Sequence, residues 1–178
     1  SYHKLTMKFT NYSSKANNLN NWVAVVTTDA DRGATGYSEY VVLRADNYAW
    51  QGALNTGGES SHDWYTSLTS NFNWTTFKDD MDGATVKMTI TREGSTVTAN
   101  ADITAKNGNT YFEKLTAECG DGSQPIRAFV FTEGGHLLIK DAVNCISSVQ
   151  QSAENNKSLR YNLAGQKVGK DFKGLVIK

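Results

Sequence analysis

Apolar and polar residues alternate with a period of two through much of this chain. Leu5, Met7 and Phe9 alternate with Lys4, Thr6 and Lys8. Val86, Met88 and Ile90 alternate with Lys87, Thr89 and Thr91, and Val97, Ala99, Ala101 and Ile103 with Thr98, Asn100, Asp102 and Thr104. An extended backbone turns successive side chains to opposite faces, so this period predicts strands with one face in a core and one in water. Arg92-Glu93-Gly94-Ser95 and Lys106-Asn107-Gly108-Asn109 read as hairpin turns, and Asn-Gly is the stronger signal of the two. Residues 85–117 are therefore expected as a three-stranded meander. Further strands fit at 22–28, 37–46, 126–132 and 136–140. Trp74, Phe77 and Met81 recur at helical spacing, which predicts one short helical turn near Thr76 to Asp82, anchored to the core. Short strands, frequent turn signals and no long amphipathic helix point to an all-β chain, a two-sheet antiparallel β-sandwich of jelly-roll-like kind.

The pattern changes near residue 146. Residues 147–158 are polar and linker-like, and two short apolar runs follow, Leu159 to Val168 and Phe172 to Lys178. The expected organisation is a β-sandwich over 1–145, then a linker and a C-terminal β-hairpin tail over 146–178, too short to fold alone. The chain starts inside a strand-like run, as expected of a mature or excised fragment.

The segment from Tyr37 to Gly52 carries the candidate chemistry. Val41, Leu43 and Ala45 fall on one face of an extended strand. Tyr40, Val42, Arg44, Asp46, Tyr48 and Trp50 fall on the other if the strand continues that far. Outward faces elsewhere in the chain carry Thr, Lys and Asn, whereas this one mixes rings with a charged pair. The CH-rich face of a pyranose stacks on an aromatic ring, and its hydroxyls need fixed donors and acceptors. Tyr40, Tyr48 and Trp50 are candidate stacking platforms, with Arg44, Asp46 and Asn47 as polar partners. Two plainer readings stand beside this one: the two faces belong to two cores, or Arg44 and Asp46 form a structural pair under a loop. A polar, Gly-rich loop is expected from Gln51 to Asn73, with Trp64 either contacting ligand or folding back as the lid of a satellite cluster. Trp22 opens a strand and is expected in the core.

Lys plus Arg equals Asp plus Glu, so no basic field exists to hold a phosphate backbone. No nucleic acid is expected as partner, and no apolar run is long enough to span a membrane. Asp29-Ala30-Asp31-Arg32-Gly33 has acids at alternating positions before a Gly, as calcium loops do, but lacks a closing bidentate Glu. It is expected as a surface turn, with no cofactor and no metal ligands assigned, although a structural calcium fits the pattern. Glycoside hydrolysis needs two carboxyls facing each other. Glu39, Glu113 and Glu133 are the candidates for that alternative, a small sandwich glycosidase or lyase. Cys119 and Cys145 fit equally a disulfide in a secreted chain and two buried thiols.

Two stretches resemble known families. Tyr161 to Val168 and then Phe172 to Ile177 resemble the C-terminal tail of secreted Bacteroidetes proteins, a Y-x-L-x-G-x-x-V hairpin ending in K-G-ϕ-ϕ-I. Tyr40 to Trp50, Trp74 to Val86, Val97 to Ala101 and Gly134 to Ile139 together resemble a β-sandwich accessory domain found beside Bacteroidetes glycoside hydrolases and polysaccharide lyases, similar in kind to jelly-roll carbohydrate-binding modules. The resemblance implies an extracellular or cell-surface protein. It implies non-catalytic binding of a plant cell-wall polysaccharide of β-glucan, xylan or mannan type, with catalysis in a covalently linked domain. A purely structural spacer is the remaining alternative.

Overall fold

The structure is a computed structural model and describes residues 2–14, 20–52, 62–68, 71–132, 134–147, 160–161 and 167–168. Residues 1–148 form one compact unit and 149–178 another. In the second unit, strand Arg160–Tyr161 pairs with strand Lys167–Val168.

The described residues of the first unit form ten strands and one helix: β1 (Tyr2–Ser13), β2 (Trp22–Thr28), β3 (Glu39–Arg44), β4 (Tyr48–Gly52), β5 (Asp63–Thr66), α1 (Trp74–Met81), β6 (Ala84–Glu93), β7 (Thr96–Thr104), β8 (Thr110–Glu118), β9 (Ile126–Thr132) and β10 (Gly135–Ser147). They form a six-stranded antiparallel sheet, β10-β1-β6-β7-β8-β5, and a four-stranded antiparallel sheet, β4-β3-β2-β9. The fold is the expected two-sheet sandwich.

Its core comes from the alternation described above. Phe9, Val86, Met88, Val97, Ala99, Ala101, Ile103 and Leu115 of the larger sheet meet Trp22, Ala24, Val26, Val41, Leu43 and Ala49 of the smaller. In β6 and β7 the residues between them are exposed or half-buried, whereas β2 is buried on both faces. The meander over 85–117 and the strands at 22–28 and 126–132 stand where the pattern put them. α1 is two turns long. Asn73 caps it by accepting the Thr76 N–H, and Phe77 and Met81 are buried. Trp74 is the exception to the expected anchoring: it is 42 % exposed and meets Phe72 and Phe77 edge-on.

One buried side chain joins both sheets and the helix. The Asn11 amide donates to Asn21 Oδ1 and to the Met81 carbonyl, and its oxygen accepts the Trp22 N–H. Asp80 is likewise buried and satisfied, accepting from Asn107, Asn109 and the Tyr111 hydroxyl at 2.7–2.8 Å.

Two expectations are corrected and one open alternative is decided. The strand from 37 does not run on to Trp50: it ends at Arg44, and β4 turns back antiparallel through Ala45-Asp46-Asn47. Asn47 takes φ +61°, a left-handed conformation that Asn tolerates better than most residues, so no Gly marks this turn. The stretch from Gln51 to Asn73 is not all loop, because it contains the end of β4 and all of β5. Of the two readings left open for the cysteines, the disulfide does not form: Cys119 is a free, buried thiol. Cys119 follows β8 and Cys145 lies in β10, four strand spacings away in the sheet order, roughly 19 Å and far beyond a bridgeable separation. The Cys145 side chain itself lies outside the described residues.

Candidate functional site

The outer face of the four-stranded sheet gathers most of the candidate residues. In an antiparallel ladder, directly opposed residues share a face. Phe131 is opposite Val23, Val23 opposite Arg44, and Arg44 opposite Tyr48. One step along, Phe129 is opposite Val25, Val25 opposite Val42, and Val42 opposite Trp50. Two rows of four positions therefore cross the sheet, about 14 Å wide from the spacing of four strands. Val23, Val25 and Val42, in the middle of the rows, are buried and form a small apolar cluster separate from the main core, so here the two faces do belong to two cores and only the ends of the rows are open. The hairpin preserves the grouping that one long strand would have given, because the register puts Tyr48 and Trp50 in the same rows as Arg44 and Val42. The Trp50 side chain lies outside the described residues.

Phe129 and Phe131 stand at one end of the rows, 42 % and 38 % exposed, with ring centroids 6.2 Å apart. At the other end the Arg44 guanidinium lies 4.8 Å from the centroid of the Tyr48 ring. Arg44 also holds Asp46 through two parallel bonds, Nε to Oδ1 at 3.0 Å and Nη2 to Oδ2 at 2.7 Å. A fork of this kind fixes both side chains. The two groups form a structural pair that braces the Tyr48 ring and orients it. Polar contact to a ligand from this end falls to whatever donors and acceptors the pair leaves over.

The structure does not bring all the predicted residues together. Tyr40 leaves the outer face. The ladder slips between Glu39 and Val42, an extra residue that breaks the alternation, and Tyr40 packs against the main core. Trp64 lies in the other sheet, in edge strand β5. It is half-buried against the core, meeting Phe72 edge-on at 5.2 Å and Tyr111 at 6.4 Å. Asn47 faces the space between the sheets through its backbone, where its N–H donates to Glu113 Oε1 at 3.3 Å.

Glu113 is fully buried, in line with Tyr111 and Leu115 on the inward face of β8. Burial pushes its carboxyl well above the usual carboxylate range. The Asn47 N–H pulls it back, the Asp46 carboxylate adds to the rise, and Trp64 and Arg44 offset part of it. A carboxyl so enclosed offers a substrate no access in this arrangement. Glu39 is 7 % exposed and accepts the Tyr37 hydroxyl at 3.1 Å. Glu133 lies outside the described residues. The two acids of the turn at 29–33 both engage Arg127, Asp29 at 2.9 Å and Asp31 at 2.8 Å. Among the described residues, no group of three or more His, Cys, Asp or Glu side chains is placed to hold a metal ion.

Phe129 and Phe131 are absent from the sequence-based candidates, although a signal was present. In Ile126-Arg127-Ala128-Phe129-Val130-Phe131 both alternating faces are apolar at the C-terminal end, unlike the Thr- and Lys-bearing outer faces of β6 and β7. Glu113 carried a signal too, as an acid at an apolar position of the Tyr111-Glu113-Leu115-Ala117 row. No family model, no curated protein and no solved structure matches this chain.

Proposed function

We propose that the sandwich is a non-catalytic polysaccharide-binding module whose platform is the outer face of the four-stranded sheet. The observation that carries this reading is the exposed Phe129–Phe131 pair, in the same transverse rows as the Arg44-braced Tyr48 ring. Two solvent-exposed rings side by side on edge strand β9 suit the apolar faces of successive sugar units in an extended chain. Each stacked ring removes apolar area from water at low entropic cost. A plant cell-wall polymer of β-glucan, xylan or mannan type matches a chain with no net charge. Extracellular or cell-surface placement, and a covalently linked catalytic domain that the module targets, belong to the same reading and rest on the resemblances noted above.

Affinity electrophoresis through gels containing soluble glucans, xylans or mannans tests it. Retardation by one class that is lost in Phe129→Ala and in Phe131→Ala supports the platform. Each substitution is expected to cost about 1–3 kcal/mol of binding. Wild-type retardation in both variants refutes the platform, and no retardation in any gel favours a structural spacer.

A further inference from the structure

The inward row of the larger sheet ends in an anomaly. Along β1 the core-facing positions run Phe9, Met7, Leu5, His3, and along β6 they run Val86, Met88, Ile90, Arg92. The last pair, His3 and Arg92, stand directly opposite each other in the ladder. Two polar side chains thus meet where the pattern calls for two apolar ones. They line a cavity of about 340 Å³ at this end of the sandwich, together with Lys4. Leu5 and Ile90 from one sheet and Ile126 from the other form its apolar wall.

Arg92 is 7 % exposed. Its Nε donates to the Gly94 carbonyl at 3.0 Å and its Nη1 to the Gln124 carbonyl. Its Nη2 is buried with no hydrogen-bond partner among the described residues. The Cys119 thiol lies beside the same guanidinium. Arg44 and Arg127 are both more exposed, and each has a carboxylate. Arg92 has none at ion-pair distance among the described residues, and neither have Lys4 and His3. Asp121, which accepts from Ser123, acts on Arg92 through space without pairing with it, and Glu118 accepts from Ser95 and Thr96. A buried guanidinium held by neutral carbonyls and a thiol, with Asp121 acting on it only through space, lacks a directly paired anion.

We propose that this cavity binds the carboxylate of a uronate residue, taking the charge on Arg92 and Lys4, with His3 as a polar neighbour, and the sugar ring against the wall of Leu5, Ile90 and Ile126. The planar guanidinium fork matches a carboxylate in shape as well as charge. A small cationic cavity in a chain of zero net charge suits an occasional acidic sugar on a mostly neutral polymer, not a dense polyanion. The sugar part of the proposal rests on the polysaccharide reading; the carboxylate part does not.

Backbone amide NMR of the whole chain, titrated with sodium glucuronate, glucose and propionate, tests it. Glucuronate is expected to shift the amides of His3, Leu5, Ile90, Arg92 and Ile126 saturably, glucose to leave them unmoved, and propionate to shift the same set more weakly. Lys4→Gln is a partly exposed change that spares the fold, and Arg92→Gln removes the fork. Each is expected to weaken glucuronate binding on the order of tenfold. Propionate binding as tightly as glucuronate overturns the sugar and leaves a site for free organic acids. Glucuronate that shifts only amides near Phe129 and Phe131 overturns the cavity and leaves the sheet-face platform standing. Cavity shifts that persist while Phe129→Ala and Phe131→Ala are retarded as wild type overturn the platform alone. No shift at either place overturns the cavity proposal outright.

Discussion

The backbone N–H of Asn47 donates to Oε1 of Glu113, which ties the turn between β3 and β4 to a carboxyl on the inward face of the opposite sheet. The hairpin that positions Tyr48 is therefore anchored from beneath by a titratable group. Glu113 holds its proton to a higher pH in the folded chain than in the unfolded one, because burial raises it well above its ordinary 4.5. Between those values the folded state binds more protons. The stabilisation is then fully present below 4.5 and is lost as pH rises through the raised value. Thermal melts between about pH 5 and about pH 9 are expected to show a falling Tm. Glu113→Gln keeps an acceptor for Asn47 and has nothing to ionise, so it should flatten that slope and raise Tm at the alkaline end. A variant with the wild-type slope would exclude Glu113 as its source. Glu118 and Asp121, both lowered by hydrogen bonds from Ser95 and from Ser123, act only on the acid side, below their ordinary values.

Phe77 and Phe129 are the same residue type in opposite environments, one fully buried against Tyr111 and the other 42 % exposed. Truncating Phe77 to Ala leaves a cavity in the core and is expected to destabilise the chain by about 3–5 kcal/mol. Phe129→Ala removes a ring that is already half in water and should cost about 1 kcal/mol. Chemical denaturation of both variants checks this. A Phe129→Ala loss as large as that of Phe77→Ala would mean that the Phe129 ring is structural.

Cys119 is buried, and burial pushes its thiol up against the opposing pull of the Arg92 guanidinium. A thiol that is both enclosed and protonated reacts slowly. In Cys145→Ser protein, a thiol-reactive dye should label Cys119 only after denaturant is added. Rapid labelling of the native protein would show that the end of the sandwich beside Arg92 opens readily.

Much of this architecture could be read from period two alone. The rows Val86-Met88-Ile90 and Val97-Ala99-Ala101-Ile103 decide which face is buried, and the Asn-Gly at 107–108 closes its hairpin without outside help. The turn at 45–47 could not be read the same way. Ala45-Asp46-Asn47 carries no Gly, and Asn47 is held by a residue 66 positions away. β5 was invisible because four residues, Asp63 to Thr66, show too little alternation, and its pairing with β8 is a tertiary decision. Tyr40 was misplaced because a bulge shifts the face without leaving a mark in composition. For the candidate platform, the Arg44 and Tyr48 end was legible as an unusual outer face. Phe129 and Phe131 are ordinary strand residues until β9 is known to lie on the same sheet.

The register that puts Tyr48 beside Arg44 depends on a turn of three residues. Side chains alternate with a period of two, so adding or removing one residue between Arg44 and Tyr48 would invert the whole of β4. Ala49, now buried, would come out to the surface, and the tyrosine would go in. A lineage carrying this fold could thus exchange the ring pattern of its sheet face by a single-codon insertion or deletion, leaving every core position of the other nine strands unchanged.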